Sequence, residues 1–179
     1  MSKYIVSNVQ DFLGLYKELF PKIYNYVLRN VYHQETAEDI TATVFEKALR
    51  HIKKHHKTIE NFQAWIYRIA TNEMISSYNK KRLKNVLSID DENLALENLI
   101  KDDKRDPSHY EDFMDLKAAI KKLKPNEALL IELFFFEKQS YEELEKVFDE
   151  KQVTLRSRLH RTLKKLEQIL KGEAGGDAA

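Results

Sequence analysis

SYEELEKVFDEKQVTLRSRLHRTLKKLEQIL, Ser140 to Leu170, is the stretch that decides the fold. Ser140 followed by Glu143 forms a capping box, so a short helix starts there. A polar break follows, and a second helix opens on Thr154. Leu155, Leu159, Leu163, Leu166 and Leu170 recur at helical spacing and hold that helix on a core. Its opposite face carries Thr154, Arg156, Ser157, His160 and Arg161, the short polar and basic side chains that a helix in a major groove needs. A solvated basic face is the bland alternative. The helix-turn-helix reading is preferred because a capped helix precedes it.

The arginines divide the work. Arg156 and Arg158 point about 200° apart on an ideal helix, so they do not share one base edge. Arg158 and Arg161 share a face more nearly. Arg156 and Ser157 are therefore expected at base edges, and Arg158, Arg161 and Lys165 partly at phosphates.

The 179 residues suit one or two small domains. The chain has no cysteine, which excludes disulfides, thiolate metal sites and cysteine nucleophiles. With 4 Gly and 3 Pro, helices are favoured over turn-rich sheets. The start, MSKYIVSNVQDF, has no apolar signal core, and no apolar run reaches the roughly 20 residues a membrane span requires. The class expected is a soluble, cytoplasmic, all-α protein without membrane insertion.

A formal net charge of +1 conceals a division along the chain. Residues 1–82 carry 13 Lys/Arg against 8 Asp/Glu, residues 83–112 carry 4 against 9, and residues 113–171 carry 13 against 10. Two basic blocks flank an acidic connector, and it is distribution that matters for binding a polyanion.

In the first block, apolar residues from Phe12 through Leu15, Leu19, Ile23, Tyr26 and Val27 to Val31 mark an amphipathic helix that Pro21 interrupts, starting a new helix or kinking the old one. Thr36 with Asp39 resembles a capping box, and the helix it starts runs through Ile40, Val44, Phe45, Ala48, Leu49 and Ile52. Residues 53–60, KKHHKTIE, break the period and read as a basic loop. Asn61 caps a long helix, FQAWIYRIATNEMISSYNKKRL, whose buried stripe is Phe62, Trp65, Ile66, Ile69 and Ile75. Residues 83–112 read as a flexible acidic linker with one marginal helical turn near Leu94–Leu99. A further domain, 113–171, starts with a helix to about Leu123. Pro125 sits in the first turn of the next helix, which ends near Glu137, and residues 172–179 read as a disordered tail. The architecture expected is two small helical domains joined by the linker, the second a four-helix domain with a helix-turn-helix.

Four stretches together resemble the bacterial RNA polymerase sigma factors of the sigma-70 family, extracytoplasmic-function type. AEDITATVFEKAL (37–49) resembles the polymerase-binding helix of the first sigma domain. NFQAWIYRIATNEMISSYNKKR (61–82) resembles the helix that melts and reads the promoter −10 element. IKKLKPNEALLIELFFFEKQSYEEL (120–144) resembles the start of the second sigma domain, and VTLRSRLHRTLKKL (153–166) its −35-reading helix. Order and spacing carry the resemblance from Phe12 to Leu170.

The resemblance implies recognition without bond-making: no catalytic residue, cofactor or metal. Core RNA polymerase, promoter DNA and an anti-sigma factor are the partners it suggests. Polymerase binding falls on Glu38, Asp39 and Phe45, although acids at a helix N-terminus also suit its dipole. The −10 element falls to Lys57, Asn61, Arg68, Asn72, Asn79, Lys80, Lys81 and Arg82, with the 53–60 loop helping to form a pocket for a flipped base. The −35 element falls to Thr154, Arg156, Ser157, Arg158, His160 and Arg161. Trp65, Tyr67 and Tyr78 lie on or near the long helix as stacking candidates, Trp65 being more readily a core residue. His51 and His55 have metal-ligand spacing, but the lysines around them oppose a cation.

The chain departs from the family pattern in several places. Ala42 stands where Gln is common, and Ser76 and Asn79 where Asp and Arg are common. Glu145 stands where a small residue is usual, Asp149 where Gly is usual, and Glu150 where an apolar residue is usual. A buried Glu145 would cost stability, so it either points partly outward or the helix pair packs differently. Asp149 tolerates left-handed backbone better than most residues. A sigma-like adaptor that holds polymerase or a regulator without reading promoters is the alternative function. No nucleophile–base pair or carboxylate pair supports an enzyme.

Overall fold

The computed structural model describes residues 4–84 and 110–172, with side chains described for 4–80 and 114–172. Among the described residues the chain is helical, with one isolated antiparallel bridge, Val6 to Ile59. The helices group into two compact units. No described helix is long and apolar enough to cross a membrane. The linker residues 85–109, with the helical turn expected near Leu94–Leu99, and the tail 173–179 lie outside the described residues.

In the N-terminal unit, α1 (Val9–Val31), α2 (Gln34–His55) and α3 (Phe62–Lys84) all pack against one another. Asn8 caps α1 by accepting the Asp11 amide at 3.0 Å. Pro21 lies inside this one continuous helix, so it starts no second helix. The ring is exposed, and the carbonyl deprived of an amide can turn to water. The start of α2 also differs from expectation: His33, not Thr36, is the cap, its Nδ1 accepting the Thr36 amide at 3.3 Å. The same helix consumes the first part of the expected loop, running to His55 before His56 turns left-handed at φ 47°. Asn61 caps α3 as expected, accepting the Ala64 amide at 3.0 Å.

The core of this unit is aromatic. Phe12 meets Phe45 and Phe62 at ring separations of 6.3 and 5.9 Å, and Phe45 also meets Tyr16 and Phe20 at 5.0 and 5.4 Å. Phe62, Ala64, Ile66, Tyr67, Ala70, Thr71 and Met74 form the buried face of α3. Trp65, Ile69 and Ile75, expected in that stripe, are only half-buried. Ala64, Ala70 and Thr71 are buried in their stead, on a helix that packs against both α1 and α2.

The C-terminal unit comprises α4 (Tyr110–Lys121), α5 (Pro125–Ile131), a π-helical segment (Glu132–Phe136), α6 (Tyr141–Phe148) and α7 (Gln152–Leu170). Pro125 occupies the first turn of α5, where its missing amide costs nothing. The apolar run expected as a plain buried helix to Glu137 instead widens at its end: the Glu137 amide donates to the Glu132 carbonyl at 3.0 Å. That extra residue per turn leaves Glu132 and Leu133 buried and Phe135 exposed. Glu132 meets Lys117 of α4 at 3.1 Å, with side chains 0% and 7% exposed. Lys117 also lies over the Phe136 ring.

Candidate nucleic-acid interface

The capping box at α6 is present in full. The Ser140 amide donates to Glu143 Oε2 at 2.8 Å, and the Glu143 amide donates back to Ser140 Oγ at 3.3 Å. Asp149 then takes the left-handed conformation at φ 57°. An L-residue costs about 1 kcal/mol or more there relative to glycine. The helix that follows begins at Gln152, two residues before Thr154. The three departures at this turn are each accommodated. Glu145 is half-buried and accepts from Gln152 Nε2 at 3.1 Å, so it points partly outward to the next helix. Glu150 pairs with Arg158. Ion pairing across the turn thus stands where an apolar contact was expected.

On α7 the buried stripe is Leu155, Leu159, Thr162 and Leu166. Leu163 and Leu170, expected to help hold the helix down, are 37% and 48% exposed. A period of 3.6 carries the inward face from 159 to 162, and Leu163 lies about 70° round from the centre of that stripe. Thr162 is tolerated inside because its hydroxyl donates to the Arg158 carbonyl at 2.9 Å. The face turned away from this stripe exposes Thr154, Arg156, Ser157, His160 and Arg161. The Arg156 guanidinium lies 4.9 Å from the Tyr141 ring centre, a cation–π contact that limits its rotamers.

Arg158 is placed differently from the other five. Its side chain is 18% exposed, pairs with Glu150 and donates to the Asn126 carbonyl at 3.0 Å. Lys165 likewise meets Glu127 at 2.8 Å. Both side chains pin α7 to the start of α5. Burial pushes the Glu127 carboxyl up, but the Lys165 hydrogen bond, the Lys124 amide and both ammonium charges outweigh it and hold the group below its ordinary value. A depressed carboxylate stabilises the fold above its unfolded pKa, and that contribution disappears as pH falls through the folded value. The acid limb of the unfolding profile is therefore expected to flatten in Lys165→Met. Thermal melts at stepped pH check this, and an unchanged acid limb would refute it.

In the N-terminal unit, Asn61, Trp65, Arg68, Asn72, Ser76 and Asn79 follow one another at three- and four-residue spacing and share one face of α3. Asn72, Asn79 and Lys80 are exposed, and Arg68 is half-buried. Lys81 and Arg82 continue the helix, with side chains outside the described residues. Lys57 is exposed on the preceding loop. Trp65, which sequence reasoning favoured as core, is half-exposed on this same face and rests on Phe62 and His51 at 5.6 and 5.0 Å. Tyr67 is unavailable for stacking on a base: it is 1% exposed and meets Tyr26 edge-on at 5.3 Å. Tyr78 is half-buried and donates its hydroxyl to the Asn30 carbonyl. The Tyr26 hydroxyl lies 3.0 Å from Thr71 Oγ1, which donates to the Tyr67 carbonyl at 2.8 Å. These contacts lock α3 against α1, so its outer face is rigidly presented.

Glu38 and Asp39 are exposed near the start of α2, Glu38 accepting from Gln34 at 2.8 Å. Phe45, grouped with them from the sequence, is 5% exposed in the aromatic core. Asp39 and Lys80 line one shallow cleft with Ile40, Thr43, Glu73, Ser76 and Ser77. The His51 and His55 rings lie 4.5 Å apart, tilted by 40°, and among the described residues no group of three or more His, Cys, Asp or Glu could hold a metal.

The comparison with known proteins follows the same division. The Sigma-70 region 2 family model matches residues 15–84, and the Sigma-70, region 4 model matches residues 113–166. The RNA polymerase sigma factor SigV of Bacillus subtilis (strain 168) is 30% identical over 141 residues, covering 79% of this chain and 80% of its own. The sigma factor YlaC of the same organism is 25% identical over 156 residues, covering 86% and 88%. Among solved structures, the sigma factor RpoE in complex with the anti-sigma factor NepR from Bartonella quintana shares the fold, with a TM-score of 0.64 at 21% identity over 90% of this chain and 98% of that one. CnrH in complex with the cytosolic domain of CnrY does so at a TM-score of 0.62 and 16% identity, covering 93% and 92%. With both regions matched in order and a relative aligned across most of its length, the chain belongs to the sigma-70 family of RNA polymerase sigma factors, extracytoplasmic-function type: a transcription initiation factor that acts with core RNA polymerase on promoter DNA and catalyses no reaction of its own.

Proposed function

We propose that residues 1–82 bind polymerase and open the −10 element, while residues 113–171 read the −35 element in duplex form. The observation that carries the second half is α7 itself: four residues buried along one side, and Thr154, Arg156, Ser157, His160 and Arg161 exposed along the other. Arg156 and Ser157 meet base edges, Arg161 and His160 the backbone. Arg158 serves by holding α7 in place. On α3, Trp65 offers a stacking surface, worth about 1–3 kcal/mol per unpaired base. Lys57, Asn61, Arg68, Asn72, Asn79, Lys80, Lys81 and Arg82 supply the polar and basic surround. Glu38 and Asp39 face polymerase, and Phe45 holds the helix that bears them. The protein works in the cytoplasm, and an anti-sigma factor is a partner, as NepR is for RpoE.

Run-off transcription with core polymerase tests this reading. Promoter-dependent product is expected, and tight core binding without product on any genomic template would favour the adaptor alternative. Within an active holoenzyme, Arg156→Ala should relax sequence preference by roughly 1–3 kcal/mol. Lys80→Ala should weaken all promoters alike and lower the salt slope by about one. Equal, sequence-blind losses from both substitutions would refute the assignment.

A further inference from the structure

The loop between α2 and α3 is short, polar and exposed, features that ordinarily leave a segment loose. Here it is tied down by the start of the chain. The Val6 amide donates to the Ile59 carbonyl at 3.1 Å, and the Ile59 amide donates back to the Val6 carbonyl at 2.8 Å. The Phe62 amide, one of the donors that α3 cannot satisfy internally, donates to the Tyr4 carbonyl at 2.8 Å. Ser7 Oγ and Thr58 Oγ1 lie 3.0 Å apart. The segment is itself anchored at both ends. Its Ser7 amide donates to Asp11 Oδ2 at 2.9 Å, the Tyr4 hydroxyl bonds Glu18, and the Val6 side chain is 0% exposed.

We infer that residues 4–7 form a strap that positions the 57–61 loop for capture of an unpaired −10 base, with Val6 and Ser7 as positioning residues. This rests on the assignment of that loop and α3 to the −10 element. The physical ground is preorganisation. Ordering a backbone residue costs free energy, and a loop ordered during folding does not incur that cost again when it closes on a base. The strap pairs with Ile59, which lies between Lys57 and Asn61 in the chain, and with Phe62 at the first turn of α3. Without it, the loop must order itself at each binding event.

The test uses holoenzyme and the promoter fragment that wild-type holoenzyme transcribes best. Two probes are made from that fragment: a fork with an unpaired −10 non-template strand, and a duplex carrying the −35 element alone. Val6→Pro removes the donor to Ile59, Ser7→Ala removes the side-chain bond to Thr58, and Val6→Ile retains both. Val6→Pro is expected to bind the fork about tenfold more weakly and to lose part of its penalty for an abasic −10 position, with −35 duplex binding unchanged. Ser7→Ala should shift both −10 readouts in the same direction by less, and Val6→Ile should match wild type. Hydrogen exchange at the Ile59 amide reads the strap directly: protected in wild type, faster in Val6→Pro. An unprotected Ile59 amide in wild type overturns the inference. So does fast exchange in Val6→Pro with unchanged fork affinity, or an equal loss on both probes. Failure of the wild-type protein to distinguish the abasic fork defeats the −10 assignment itself, an outcome separate from any effect of the strap variants.

Discussion

Replacing Phe45 with alanine is expected to destabilise the N-terminal unit by about 3–5 kcal/mol, the range for deleting a buried phenylalanine. The ring is 5% exposed and meets Phe12, Tyr16 and Phe20. Those rings come from α1, so the void cannot be filled by a rotamer change on α2 alone. Urea unfolding of the full chain would show the loss as a lower midpoint. Glu38→Ala and Asp39→Ala provide the contrast. Both side chains are exposed, so core-polymerase affinity should fall while the unfolding midpoint stays in place. If Phe45→Ala left stability intact and abolished polymerase binding, its place would be at the interface and not in the core.

Glu132→Ala is expected to cost the C-terminal unit about 3–5 kcal/mol. Lys117 and Glu132 are nearly sealed from water, and removing the acid leaves a buried ammonium short of its counter-charge. A pair so placed is weak evidence for net stability, since its own desolvation offsets much of the attraction. Breaking one half is therefore far more harmful than exchanging both. Glu132→Leu combined with Lys117→Met should recover most of the loss. A double variant no more stable than Glu132→Ala would show that the pair shapes the π-helical segment in a way apolar side chains cannot. Salt provides a second check: a sealed pair should respond little to ionic strength, unlike the exposed Lys22–Glu18 pair.

The turn before α7 shows how far local sequence could be trusted. Ser140 and Glu143 were legible because a capping box satisfies donors within four residues and needs no distant partner. Asp149 was legible for the same reason, as its left-handed backbone is a local requirement. The partners of Glu145 and Glu150 were not. Gln152 and Arg158 lie 7 and 8 residues on, across a turn, and only the angle between two helices brings them within reach. Spacing along one helix places Arg158 beside Arg161, partly at phosphates, and cannot show that Glu150 and the Asn126 carbonyl lie within its reach. Trp65 was misplaced for a related reason. Its neighbours in sequence are apolar, but the face it shares in space is polar, and periodicity cannot say which of two adjacent faces a bundle will cover.

Legible in the chain were the main helical segments, the caps of α3 and α6, the basic and acidic division, and the order of stretches that marks the family. Each of these depends on residues close together in the chain, or on composition. The tertiary structure alone decided which basic residues face outward and which pin the fold, where the π-helical turn absorbs a buried acid, and that Val6 pairs with Ile59. Those are contacts between residues far apart in the chain, and their geometry exists only once the helices have packed.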